Sequence, residues 1–98
     1  MIRHMIFWNL AKPDEDLRAL ESFMKTSFSE MVSAIPGLRA AHIGLDVGQG
    51  THGAGLCCDL DSMEALEIYR VHPLHVAFQG WAKEHLKERC CVDLEVSE

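Results

Sequence analysis

Ile2-Arg3-His4-Met5-Ile6-Phe7-Trp8-Asn9-Leu10 is rich in bulky and β-branched side chains and stops at Lys12-Pro13-Asp14, so it reads as a strand. Both of its alternations carry bulk: Ile2, Ile6, Trp8 and Leu10, with His4 among them, on one, and Met5 and Phe7 on the other. Successive strand residues point to opposite faces, so a strand apolar on both needs two covers. Helices of the same chain supply one. The simplest second cover is another copy of the same sheet, although a shared edge or an unrelated partner would also serve.

Outward from this strand, Asp14 is placed to cap a helix, with Glu15 and Asp16 adding negative charge near its positive end. Leu17, Leu20, Met24, Phe28, Met31 and Ile35 then recur at steps of three and four, widened by Phe23 and Val32, until Pro36-Gly37 ends the helix. Leu38 to Val47 reads as a second strand, residues 48–53 as a glycine-rich loop, and Ala54 to Leu60 as a third strand. Asp61 with Glu64 forms a capping-box pattern opening a helix through Met63, Leu66 and Tyr69. That helix breaks at His72, because the residue before Pro73 is pushed out of the α region. Pro73 suits the first turn of a further helix, whose apolar side is Leu74, Ala77, Phe78, Trp81 and Ala82. Cys90 to Val96 reads as the last strand. The order β-α-β-β-α(-α)-β implies an α+β fold: a ferredoxin-like four-stranded antiparallel sheet with helices on one face, pairing as a dimeric α/β barrel. Residues 1–98 are expected to be a single domain.

The composition narrows the partners. The chain has 98 residues, 48% of them hydrophobic and 24% charged, which is ordinary for a globular domain. A chain of this size buries only about 60–65% of its unfolded surface, so a partner subunit helps it. Nine Lys and Arg against fifteen Asp and Glu give a net charge of −6, and no basic cluster in the sequence offers counterion release to nucleic acid or attraction to an anionic membrane. The opening residues lack the apolar run and cleavage site of a signal peptide, and no segment approaches a membrane-spanning helix. The expected location is the cytoplasm.

The sequence resembles the stress-responsive dimeric α/β-barrel (Dabb) family. The matching pieces are Ile2-Arg3-His4, Ile35-Pro36-Gly37, the tract Glu67-Ile68-Tyr69-Arg70-Val71-His72-Pro73-Leu74-His75-Val76, and Val92-Asp93-Leu94-Glu95-Val96. The Tyr-x-x-His-Pro-x-His tract is the most specific of them. The resemblance implies a homodimer whose sheets face one another. The family includes a plant polyketide cyclase, olivetolic acid cyclase, and by that likeness Tyr69 and His75 match the residues that carry its chemistry, while His4 and Asp93 match pocket positions. The loop around Thr51-His52-Gly53 departs from the cyclase, as do Trp8 and His85.

Read as chemistry, a neutral imidazole at His75 can take a proton at pH 7, and the Tyr69 hydroxyl can hold a carbonyl oxygen or phenol. Together they suit proton removal α to a carbonyl and an aldol-type ring closure. Tyr69 and His75 are therefore the candidate catalytic residues, with His4, Trp8, Phe78 and Asp93 around a small aromatic or polyketide-like ligand; the alternative is structural, a histidine near a helix start bonding to backbone and a tyrosine filling the core. The alternative for His4 is a core histidine satisfied by Asp93 from the neighbouring strand. His72 reads as a helix-break residue, and His85 as a buried, hydrogen-bonded histidine. Zinc at His4, His72 and His75 is disfavoured because Pro73 interrupts the pair and no H-E-x-x-H spacing exists. No metal and no cofactor are expected. The four cysteines, Cys57-Cys58 and Cys90-Cys91, are vicinal pairs whose members point to opposite faces, and read as small thiols in a reducing compartment. Three functions compete: a cyclase-like acid–base enzyme, a non-catalytic stress-related dimer, and a cofactor-free monooxygenase-like or haem-binding protein.

Overall fold

The structure is a computed structural model and describes residues 1–97. Seven elements follow one another: β1 (Ile2–Leu10), α1 (Leu17–Ala34), β2 (Leu38–Leu45), β3 (Ala54–Leu60), α2 (Met63–Val71), α3 (Pro73–His85) and β4 (Leu86–Glu95). The strands form one antiparallel sheet in the order β2-β3-β1-β4, the ferredoxin-like arrangement, with β1 and β3 central.

Alternation sorts the two faces as the sequence implies. Ile2, His4, Ile6 and Trp8 of β1 and Leu56, Cys58 and Leu60 of β3 are buried beneath the helices. Leu20, Met24, Phe28 and Met31 of α1 and Leu66 and Tyr69 of α2 close that layer from above. Burying side chains of this size contributes roughly 1.5–3 kcal/mol each, so this one layer carries most of the stability. The other sheet face keeps Phe7, Val92 and Leu94 exposed. Gly37 (φ 83°) turns the chain from α1 into β2, and a Cβ there would stand 2.6 Å from the Ala65 side chain, so both backbone and packing call for glycine.

Local signals differ from the expectation at several places. Asp16, not Asp14, caps α1, accepting from Ala19 N at 3.1 Å. Leu17 and Phe23 are exposed rather than part of the buried stripe, although Phe23 stacks on Trp81 with ring centroids 4.5 Å apart. β2 ends at Leu45, two residues early. Ser62, not the Asp61–Glu64 box, caps α2 by accepting from Ala65 N at 3.1 Å. β4 begins at Leu86 instead of Cys90, directly after α3, and Ala77 is exposed on that helix. At the two caps a neighbouring residue supplies the same chemistry, and a polar run conceals the start of β4. No helix among the described residues is long and apolar enough to cross a membrane.

Candidate functional site

The site grows from the break between α2 and α3. In a continuous helix Leu74 N would bond to the carbonyl of Arg70. Here His72 takes an extended conformation (φ −65°, ψ 137°) and Pro73 offers no N–H. Two histidines take up the freed groups. His72 Nδ1 accepts from Leu74 N at 3.1 Å and so caps α3, while His75 Nδ1 lies 3.1 Å from the Arg70 carbonyl oxygen and donates to it. The break thus turns the last turn of α2 against the first turn of α3, and the rings of Tyr69 and His75 lie 4.2 Å apart between centroids.

A carbonyl only accepts, so this bond fixes the His75 proton on Nδ1 and leaves the Nε2 lone pair open. Burial lowers the pKa of His75, and the bond to Arg70 only partly offsets that. The ring is neutral at pH 7, the form that can accept a proton. Tyr69 is fully buried, and its hydroxyl has no hydrogen-bond partner among the described residues. Burial drives its pKa far up, so the phenol keeps its proton. The Cys58 thiol influences it without reaching hydrogen-bond geometry, and is itself pushed up to about 12, chiefly by burial. An unpaired buried hydroxyl costs roughly 1–3 kcal/mol, which marks this group as one with a use.

A cleft of about 700 Å³ runs between α3 and the β1–β4 side of the sheet, within the size range of small-molecule sites. His4, Trp8, Tyr69, His75 and Phe78 all line it. Asp93 stands behind: its carboxylate meets His4 Nδ1 at 2.5 Å and Arg70 Nη2 at 3.5 Å, and Arg70 in turn bonds Glu67 at 2.6 Å. The pairing of His4 with Asp93 is therefore present, and His4 sits edge-on to Tyr69 at 5.8 Å. His85 is only part-buried, 3.1 Å from Glu15 and stacked on Trp81, outside the cleft lining. His72 points its Nδ1 into the helix cap, so it does not join His4 and His75 as a ligand set. Instead His4, Cys91 and Asp93 bring three donor atoms within 4.8 Å of one another, and Cys91 was the unforeseen member because it meets His4 only through the β1–β4 register. Arg70 already neutralises that carboxylate. Lys83, Lys87 and Arg89, also unforeseen, complete the rim of the cleft; in the sequence they form part of an unremarkable polar stretch.

The profile of the stress responsive A/B barrel domain family matches residues 2–96. No curated protein matches. Among solved structures, a dimeric protein of unknown function with a ferredoxin-like fold from Bacteroides fragilis superposes with a TM-score of 0.85 at 24% identity, covering 97% of this chain and 95% of that one. A Dabb family protein from Mesorhizobium loti gives 0.73 at 20% identity, with 99% and 97% covered. A hydroxynitrile lyase from Passiflora edulis gives 0.79 at 12% identity, with 99% and 94% covered. At these identities the likeness is one of fold.

Proposed function

The chain belongs to the stress responsive A/B barrel domain family, and on that footing we propose that it is a homodimeric small-molecule enzyme working by cyclase-like acid–base chemistry through Tyr69 and His75. Residues 1–98 act as one such domain. One observation carries the reading: a buried, unpartnered phenol packed on a neutral histidine whose Nε2 is open, both lining one cleft.

The fitting substrate is a small aromatic or polyketide-like molecule with a carbonyl and an acidic hydrogen on the adjacent carbon. His75 Nε2 takes that proton, and the C–H electron pair moves through the new C=C bond onto the carbonyl oxygen. The Tyr69 hydroxyl donates a hydrogen bond to the resulting enolate, in a site dry enough to strengthen it. The enolate carbon then attacks a second carbonyl of the same molecule, whose oxygen receives the proton from the imidazolium. One carbon–carbon bond forms and one carbonyl becomes a hydroxyl. Ile6, Trp8 and Phe78 offer the apolar wall that folds such a chain on itself. The Arg70–Asp93–His4 chain holds the floor.

The homodimer rests on the exposed side chains of the open sheet face and on relatives described as dimeric. Four free thiols, two of them exposed, favour a reducing cytoplasm.

Two variants test the chemistry against a merely structural role. Tyr69→Phe removes only the unpartnered hydroxyl. It should leave Tm unchanged or higher, while turnover of β-keto acid substrates found by screening falls about tenfold or more. His75→Asn keeps a donor near the Nδ1 position and removes Nε2, so turnover should fall by about 10²–10⁴. Full activity in both variants, or failure of a broad screen of phenols and β-keto acids to yield any turnover, would return the protein to the non-catalytic reading.

A further inference from the structure

Basic side chains are the minority in this chain, nine against fifteen acidic ones. Even so, Arg70, Lys83, Lys87 and Arg89 all line the cleft, and no Asp or Glu among the described residues does. Two of the four are spoken for: Arg70 by Glu67 and Asp93, and Lys87 by Glu88 at 3.6 Å. Lys83 and Arg89 have no ion-pair partner among the described residues. An acidic protein that leaves two cations without an ion-pair partner among the described residues, at the mouth of an apolar cleft between helix and sheet, has kept them for something outside the chain.

Arg89 is also held there by the backbone. Opposite Trp8, β4 sets two residues, Glu88 and Arg89, against one, and the ladder resumes at Phe7 with Cys90. This is a β-bulge, and its first residue, Glu88, takes a left-handed conformation (φ 55°) that a non-glycine residue adopts at a cost. Bulges re-aim side chains beside functional sites, and this one sets the Arg89 charge close enough to act on both Tyr69 and His75.

We propose that the ligand of the cleft is an organic acid, its apolar body against Ile6, Trp8 and Phe78 and its carboxylate held at the mouth by Arg89, with Lys83 as the second charge. The inference names the substrate class for the enzyme reading above and rests on that reading's cleft, not on its chemistry. A guanidinium presents two parallel N–H donors to a carboxylate, which fixes orientation as well as adding attraction. The acid end is thereby kept outward and the reactive carbonyl is sent down toward Tyr69 and His75.

Calorimetric titration of the full chain with matched pairs tests this: octanoate against octanamide, cinnamate against cinnamamide, and phenyl phosphate as a competing anion. Each acid should bind about tenfold or more tightly than its amide, because a hydrogen bond to a charged group is gained only by the acid. That ratio should shrink with added salt, collapse toward one in Arg89→Gln, fall partly in Lys83→Gln and persist in Lys12→Gln, which lies outside the cleft. Equal binding of acid and amide, a ratio that survives Arg89→Gln, tighter binding of phenyl phosphate, or no binding of any acid at millimolar concentration overturns the proposal. The Tyr69→Phe variant separates it from the enzyme reading. Acid preference should be retained there whatever happens to turnover, and a preference for acids without any turnover would sink the chemistry and leave this inference standing.

Discussion

His75 couples the site to pH through its burial. The ring is 7% exposed, and desolvation holds its pKa below the ordinary 6.5. Below pH 6.5 the unfolded chain binds a proton that the folded chain resists, so folding stability contributed by the neutral ring is complete above 6.5 and lost as pH falls toward the depressed folded value. Between about pH 7.5 and about pH 5.5, the parent Tm should therefore drop more steeply than that of His75→Asn, which has nothing to titrate there. Parallel slopes would mean that His75 is not held neutral by the fold. Part of this residue's surroundings was legible beforehand: its place at the edge of an apolar helix face follows from helical spacing, and its pairing with Tyr69 from the family resemblance. A bond from this histidine to backbone was one of the readings, but its acceptor, the Arg70 carbonyl, was not legible. That acceptor exists only because the broken helix fails to use it, and backbone orphans leave no mark in side-chain pattern. His4 with Asp93 could be foreseen because ferredoxin-like order puts the first and last strands side by side. Cys91 joins them through a register that sequence does not fix.

At the scale of elements, the stretch of β4 that escaped recognition, Leu86 to Arg89, is the one that shapes the cleft. Lys87-Glu88-Arg89 has neither the alternation nor the β-branching of a strand, and Leu86 fits the apolar side of α3 as well as it fits a strand. Pairing with Asn9 and Leu10 of β1 overrides that local preference, and the bulge absorbs the mismatch. The same holds at the helix starts. A cap needs a short polar side chain one residue before the first turn, and at both Asp14-Glu15-Asp16 and Asp61-Ser62 two neighbours qualify. In the structure the later residue of each pair is the cap. The bulge has a testable consequence. Glu88 gives up only an exposed bond from Asn9 and a loose pair with Lys87 when replaced. Glu88→Gly should match or slightly exceed the parent in stability, since relief of the left-handed strain offsets the flexibility glycine adds to the unfolded chain. Glu88→Val, β-branched at the same φ, should lose roughly 1–2 kcal/mol in denaturant unfolding. Equal stability of the two variants would show that the left-handed turn is not populated in solution.

For the molecule as a whole, the question is what covers the open sheet face. A row of apolar groups lies there: Phe7 is 37% exposed, Val92 45% and Leu94 43%, each on a strand whose opposite side is already packed. Arg3 and Asp59 pair across the same face at 2.8 Å, so these two charges offset one another beside the row. Contiguous exposed apolar surface on a small acidic domain marks an interface, and a second copy offers the same row by two-fold symmetry. Sedimentation equilibrium should then give about twice 11.0 kDa, and Phe7→Lys with Val92→Lys should give the monomer, since four added charges would meet at the centre of the interface. The cysteines supply an independent readout on the same assembly. β1 separates Cys57-Cys58 from Cys90-Cys91, so neither pair can bridge to the other within the chain, all four are free thiols, and Cys90 lies on the face in question with its Sγ 3.8 Å from His52 Nε2. In denaturant all four thiols should react. In the native dimer Cys90 should react slowly, and it should become fast in the double-lysine variant, because only the partner sheet shields it. A stable parent monomer at micromolar concentration, or a Cys90 equally fast in parent and variant, would show that this face meets solvent and that the apolar row serves some other partner.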